Sequence, residues 1–275
     1  MDQKRKPKIA LKIILIIAAV LLLIVTGFTI VSHAVYHRSD MATAAELLFR
    51  IQGSKKTFSD PDRCAEYIEA RASADEYELT VRLKSDVSGT SVNGNRVYTL
   101  SKTASPDYTI LYLHGGAYIN DASPYHWKFC DKIVRKTNAQ VIFPIYPLTP
   151  NHTWDETFEL LTVIYEGILN STDKPVIIMG DSAGGGLSVA FCEYADTLGL
   201  RQPDRMILLS PWMDISMSNP EAAEYEDVDP MLSAYGLVEM GKCWAGDLDL
   251  QDYRVSPIYG DISMLNNVFL FVGKR

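Results

Sequence analysis

Histidine is scarce in this chain. Five occur in 275 residues, His33, His37, His114, His126 and His152, and none lies beyond position 152. Any chemistry that needs an imidazole after that point has none to draw on. Cysteine is almost as sparse. Cys64, Cys130, Cys192 and Cys243 are far apart, with no Cys-x-x-Cys. That spacing excludes a zinc-type ligand set and reads as four separate small buried side chains. Basic charge is outweighed by acidic charge over most of the chain. Lys4, Arg5, Lys6, Lys8 and Lys12 against Asp2 give the start a charge of +4, so with a net −8 overall the remaining residues sum to −12. Without Lys/Arg stripes on the body, nucleic acid is excluded as a partner. There is no internal repeat and no low-complexity tract.

What is there begins with an apolar run. Positions 13–31 carry no charge, and 9–11 lengthen the run. At about 1.5 Å per residue it spans a hydrocarbon core of about 30 Å. The expectation is a basic tail over 1–8 on the cytoplasmic side and a single-pass anchor over 9–31. The body then lies outside the cytoplasm, since the positive cluster precedes the span. A cleaved signal sequence is the competing reading, with Ser32-His33-Ala34 as its cleavage site.

Behind this segment the pattern is that of one α/β domain. Positions 42–51 and 61–72 show helical spacing, and a helical cap is expected over 39–76. Positions 79–83 and 97–100 alternate with period two around Asn93-Gly94, which predicts an antiparallel hairpin. From there short apolar runs at 108–113, 141–145, 176–179, 206–209 and 268–272 alternate with helical segments at 125–137, 154–169, 182–198 and 234–244. Apolar strands joined by crossover helices predict a mostly parallel sheet flanked by helices.

Two glycine motifs carry the chemistry. Gly180-Asp181-Ser182-Ala183-Gly184 follows a strand and opens a helix. A serine on such a sharp turn is exposed at the carboxyl edge of the sheet, and its neighbours must be small for the backbone to pass. His114-Gly115-Gly116-Ala117 follows the strand at 108–113. Glycines there let backbone N–H groups approach a developing oxyanion. The expected roles are Ser182 as nucleophile and the N–H groups of Gly115, Gly116 and Ala183 as oxyanion donors. Asp181 bonds within its turn, and His114, Gly180 and Gly184 support the two motifs.

With these residues the chain resembles the hormone-sensitive-lipase branch of the α/β-hydrolase esterases, which includes arylacetamide deacetylases. The resemblance runs from about position 77 to the end. It takes in Tyr146-Pro-Leu-Thr-Pro150, Ser210-Pro-Trp-Met-Asp214, Asp229-Pro-Met-Leu-Ser233 and Ser256-Pro257. The chain departs from the branch at Pro147, where Arg is usual, and at Gly186, where Asn is usual. The resemblance implies the α/β-hydrolase fold and hydrolysis of small, short-acyl or acetyl esters, with no metal and no organic cofactor. The oligomeric state is left open.

In that fold the triad runs Ser, then Asp or Glu, then His. No histidine follows Ser182, so the triad acid and His are expected to be absent, the domain over 77–275 lacking its C-terminal part. His114 is expected to shape the oxyanion loop, His126 to sit at a helix start as a surface or cap residue, and His152 to be solvated. Asp214, Asp229 and Asp261 follow Ser182, but an acid without a histidine completes nothing. Loss of the base removes about a million-fold in turnover in serine proteases. The chain alone is therefore expected to be severely impaired. The competing readings are a non-catalytic, membrane-tethered hydrolase-like binding protein and a fragment without function.

Overall fold

The computed structural model describes residues 6–73 and 77–273. Positions 1–5 of the expected basic tail, 74–76 at the end of the expected cap, and 274–275 lie outside the described residues. The chain divides into two compact units, one of residues 1–56 with 227–232, the other of 57–226 with 233–275.

The first unit opens with α1 (Lys6–Ile30), continued by a π-helical turn at Val31–Val35. Over Leu11–Val35 the mean hydropathy reaches 3.1, and this helix is long and apolar enough to be a membrane span or a signal sequence. After a short link comes α2 (Asp40–Gln52). The Ser39 hydroxyl caps its start, accepting from the Ala42 N–H, and Gly53 ends it in the left-handed conformation. The short α3 (Ser54–Ser59) follows. In the second unit α4 (Pro61–Ala72) has Asp60 as its N-cap and Pro61 in its first turn. By residue range α2 falls in the first unit and α4 in the second, while α3 runs across the boundary at 56–57.

The sheet fills the second unit. Its strands are β1 (Asp86–Val92), β2 (Asn95–Ser101), β3 (Tyr108–Leu113), β4 (Ala139–Pro144), β5 (Val176–Asp181), β6 (Arg205–Leu209) and β7 (Val268–Phe271). They lie in the order β1-β2-β4-β3-β5-β6-β7. The β1, β2 and β4 pairings are antiparallel, and the rest of the sheet is parallel. Helices α5 (Pro124–Lys136), α6 (Trp154–Ser171), α7 (Ser182–Thr197) and α8 (Ala234–Ala245) complete the unit.

The hairpin lies elsewhere than the alternating pattern predicts. Asn93 and Gly94 take φ of 48° and 83°, a two-residue loop that pairs Val92 directly with Asn95. The loop therefore draws the strand at 86–92 into the ladder, although that strand lacks the apolar alternation. Residues 79–83 stay outside it, in no regular element. Their alternation is still a burial signal, since Tyr77, Leu79, Val81 and Leu83 pack against the core and the residues between them are exposed.

The central strands are apolar throughout because both of their faces are covered. Ile110, Tyr112, Ile177 and Met179 join a core with Trp127, Cys130 and Val134 of α5. Leu111, Leu113, Val176 and Ile178 face the opposite core, built with Phe158, Leu161, Leu187 and Phe191 of α6 and α7. At the far edge β7 pairs with β6 but is exposed along its whole length. Trp127 is fully buried, its ring 4.0 Å from that of Phe143 and edge-on to Tyr98 at 5.2 Å. Replacing it with alanine is expected to remove about 3–5 kcal/mol of stability. Denaturant unfolding of the detergent-solubilised chain checks this, and a loss below about 1 kcal/mol would contradict the packing described here.

Candidate active site

The strand order places the site. From β3 the chain crosses to β4 on one side, then returns to β5 on the other. Such a switch point opens a crevice at the carboxyl ends of the strands. In register, Leu113 of β3 pairs with Gly180 of β5. His114-Gly115 and Asp181-Ser182 therefore leave the sheet side by side.

Ser182 is the first residue of α7 and takes φ 50°, a strained conformation for a residue with a side chain. The turn is tight enough to demand glycine at 184, where a Cβ would lie 2.1 Å from the Leu113 carbonyl oxygen. The neighbouring loop is strained in turn, with φ of 137°, 54° and 61° at Gly116, Ala117 and Tyr118. A Cβ at Gly116 would lie 2.5 Å from the Asn120 carbonyl oxygen, so no larger residue fits that conformation.

Asp181 ties the two segments together. Its carboxylate accepts from the Tyr112 hydroxyl at 2.6 Å, the Gly115 N–H at 3.1 Å and His126 Nε2 at 3.2 Å. Burial alone would raise this carboxyl. The hydrogen bond from His126, with the bonds from Tyr112 and Gly115, outweighs it and holds Asp181 below the ordinary carboxylate range. The sequence reading counts the Gly115 N–H among the oxyanion donors, whereas here it donates to Asp181. Among the described residues the N–H groups of Gly116, Ala117 and Ala183 meet no hydrogen-bond acceptor.

Three histidines lie in this unit. His126 does cap α5, as expected, its Nδ1 accepting from the Ser123 N–H at 3.0 Å. That bond places the proton of the neutral ring on Nε2, which donates to Asp181. Both ring nitrogens are thereby occupied away from Ser182. His152 is half exposed beside Glu156 at 2.8 Å. His114 is fully buried, its ring 4.4 Å from that of Tyr146, whose hydroxyl donates to the His114 carbonyl at 2.5 Å. Its Nδ1 donates to the Gly115 carbonyl at 2.8 Å, which fixes the tautomer and leaves Nε2 without a partner.

Among the described residues no histidine or carboxylate hydrogen-bonds the Ser182 hydroxyl. Asp214 instead orders its own loop by accepting from Ser216 and Ser218, and Asp261 accepts from the Ser263 N–H. Asp229, in the other unit, accepts from the Met231 and Leu232 N–H groups. The described residues hold no group of three or more His, Cys, Asp or Glu able to bind a metal. Sequence reasoning missed Tyr112 and His126 as partners of Asp181. The only signal was their position, Tyr112 near the end of β3 and His126 in the first turn of α5.

A family model described as the alpha/beta hydrolase fold matches residues 110–275. A triacylglycerol lipase of Mycobacterium tuberculosis is 29% identical over 197 residues, which are 71% of this chain and 40% of that protein. An esterase of Acinetobacter venetianus is 30% identical over 186 residues, covering 66% of this chain and 61% of the relative. This chain thus spans about half the length of these two relatives. A crystal structure of a Staphylococcus aureus protein assigned as an esterase superimposes with a TM-score of 0.71 at 30% identity, covering 77% of this chain and 74% of that one.

Burial drives the His114 imidazole down from 6.5 to about 4. Below pH 6.5 the unfolded chain therefore takes up a proton that the folded chain refuses. The resulting loss of stability starts below the unfolded value and is complete once pH has fallen through the folded one, in all about 3 kcal/mol. His114→Asn is expected to flatten the dependence of unfolding free energy on pH across this window, measured by urea denaturation. Equal slopes in both proteins would contradict the assignment.

Proposed function

The chain belongs to the alpha/beta hydrolase fold family, and from that premise we propose that Ser182 is the nucleophile of a carboxylic-ester hydrolase. One observation carries the reading. Ser182 stands in a strained turn at the head of α7, with unengaged N–H groups at Ala183 and Gly116 beside it. The Ser182 hydroxyl attacks the acyl carbon. The carbonyl oxygen becomes an oxyanion, and the N–H groups of Gly116 and Ala183, with Ala117 adjacent, stabilise it by about 3 kcal/mol per donor. Gly115 acts differently. Held by Asp181, it fixes the orientation of the peptide that follows. Collapse of the intermediate expels the alcohol and leaves an acyl group on Ser182 for water to remove. Small esters with short acyl groups suit this reading, and neither metal nor cofactor takes part.

The proton of Ser182 needs an acceptor, and His114 and His126 are both committed elsewhere. Among the described residues the site therefore holds a nucleophile and oxyanion donors without a base. The apolar helix over Leu11–Val35 anchors this hydrolase to a membrane. The basic residues before it stay on the cytoplasmic side and the hydrolase unit lies outside. A second reading, an ester-binding protein without turnover, draws on the unpartnered Ser182 hydroxyl.

Chemical rescue separates the two. Hydrolysis of a nitrophenyl acetate by the full chain is expected to exceed the uncatalysed rate by at most about 10³–10⁴-fold. Added imidazole should raise that rate in the wild-type chain and leave Ser182→Ala at the level of buffer catalysis. An identical imidazole response in both proteins would refute Ser182 as nucleophile and favour the binding reading.

A further inference from the structure

Helix α2 has one face engaged and one bare. On the engaged side, the Arg38 side chain donates to Thr43 at 3.2 Å and pairs with Glu46. Arg50 pairs with Glu46 at 2.8 Å and donates to the Val228 carbonyl at 3.4 Å. Residues 227–232 belong to the same compact unit. Thr43, Glu46 and Arg50 thus bind the helix to its own unit. The other side carries Met41, Ala44, Leu47, Leu48 and Ile51, spaced three and four apart so that they form one stripe. All five are exposed, Met41 by 78% and Ile51 by 73%. A soluble surface rarely leaves such a stripe uncovered.

The position of the stripe identifies what covers it. The membrane-spanning stretch ends at Val35, four residues before the N-cap Ser39. Between them Tyr36 is exposed, with the Arg38 guanidinium 4.7 Å over its ring. Tyrosine and arginine are the residues that mark the headgroup level at the end of a span. The Thr29 hydroxyl donates to Asp40 at 3.0 Å, and this fastens the first turn of α2 to the end of α1. Helix α2 therefore starts beside the last turns of α1, where the apolar run gives way to the headgroup zone, and is held there. An amphipathic helix at that level sinks its apolar face into the headgroup–acyl boundary and keeps its charged face toward water and protein.

We propose that α2 is an interfacial helix that lies on the bilayer surface through Met41, Ala44, Leu47, Leu48 and Ile51. The occupant of the stripe is lipid, continuous with the lipid around α1. The inference rests on the membrane-anchor reading above, and its test separates the two.

The test uses the full chain reconstituted in phosphatidylcholine vesicles, with Cys243→Ser as background and single nitroxide labels at Leu48→Cys, Ile51→Cys and Ala42→Cys. Ala42 lies off the stripe and is exposed. Alkaline carbonate extraction first reports whether α1 spans the bilayer. Power saturation with oxygen and with a water-soluble nickel chelate then reports the surroundings of each label. The expected result is retention in the pellet, with a ratio of oxygen to nickel collisions several-fold higher at 48 and 51 than at 42. Retention with nickel-accessible labels at 48 and 51 overturns the interfacial helix and leaves the anchor standing. Labels at 48 and 51 shielded from both reagents also overturn it, because protein, from the hydrolase unit or a second copy, then covers the stripe. Release of the chain by carbonate overturns the anchor and this inference together.

Discussion

Asp181 is the last residue of β5, and its carboxylate gathers Tyr112, Gly115 and His126 from three other segments. The turn at Ser182 and the loop from Gly116 to Tyr118 are both strained, and neither conformation is one its residues would hold in isolation. A carboxylate at their junction supplies the constraint. It accepts from the end of β3, from the loop after β3 and from the first turn of α5. Three donors converge on one partly buried anion, and charge-assisted bonds of this kind are stronger than neutral ones. Their geometry is set by register, since Leu113 opposite Gly180 brings Gly115 beside Asp181. With the Gly115 N–H spent on Asp181, the N–H of the next residue, Gly116, is left without an acceptor.

The histidines make the same point from the other side. Each has a local partner that fixes its tautomer or its exposure. His126 links a helix cap to Asp181, His114 is stacked in the core under the loop, and His152 pairs with Glu156 at the surface. These are scaffolding roles. On the proposed reading of the site, none of the three is left to take the Ser182 proton.

Much of this was legible in the sequence, for identifiable reasons. The strands from 108 onward are short apolar runs because both faces of the sheet are covered, and the two glycine motifs are local steric necessities. Features that depend on tertiary register were not legible. Alternation at 79–83 reported burial correctly but not pairing, because the Asn93-Gly94 loop decided which residues enter the ladder. The engagement of Gly115 by Asp181 and the reach of His126 depend on strands brought together across more than fifty residues. The bare stripe of α2 reads in sequence as an ordinary amphipathic helix, and only its uncovered state in the folded unit sets it apart.

The central claim is that the Asp181 carboxylate holds the loop from Gly115 to Tyr118 in place. Amide hydrogen exchange tests it most directly, comparing the full chain with Asp181→Asn under conditions where both are folded. The account predicts faster exchange at Gly115 through Tyr118 in the variant, with β3 itself unchanged. Unaltered protection across that loop would contradict it, and the strain at Gly116 and Ala117 would then have to be held by packing alone.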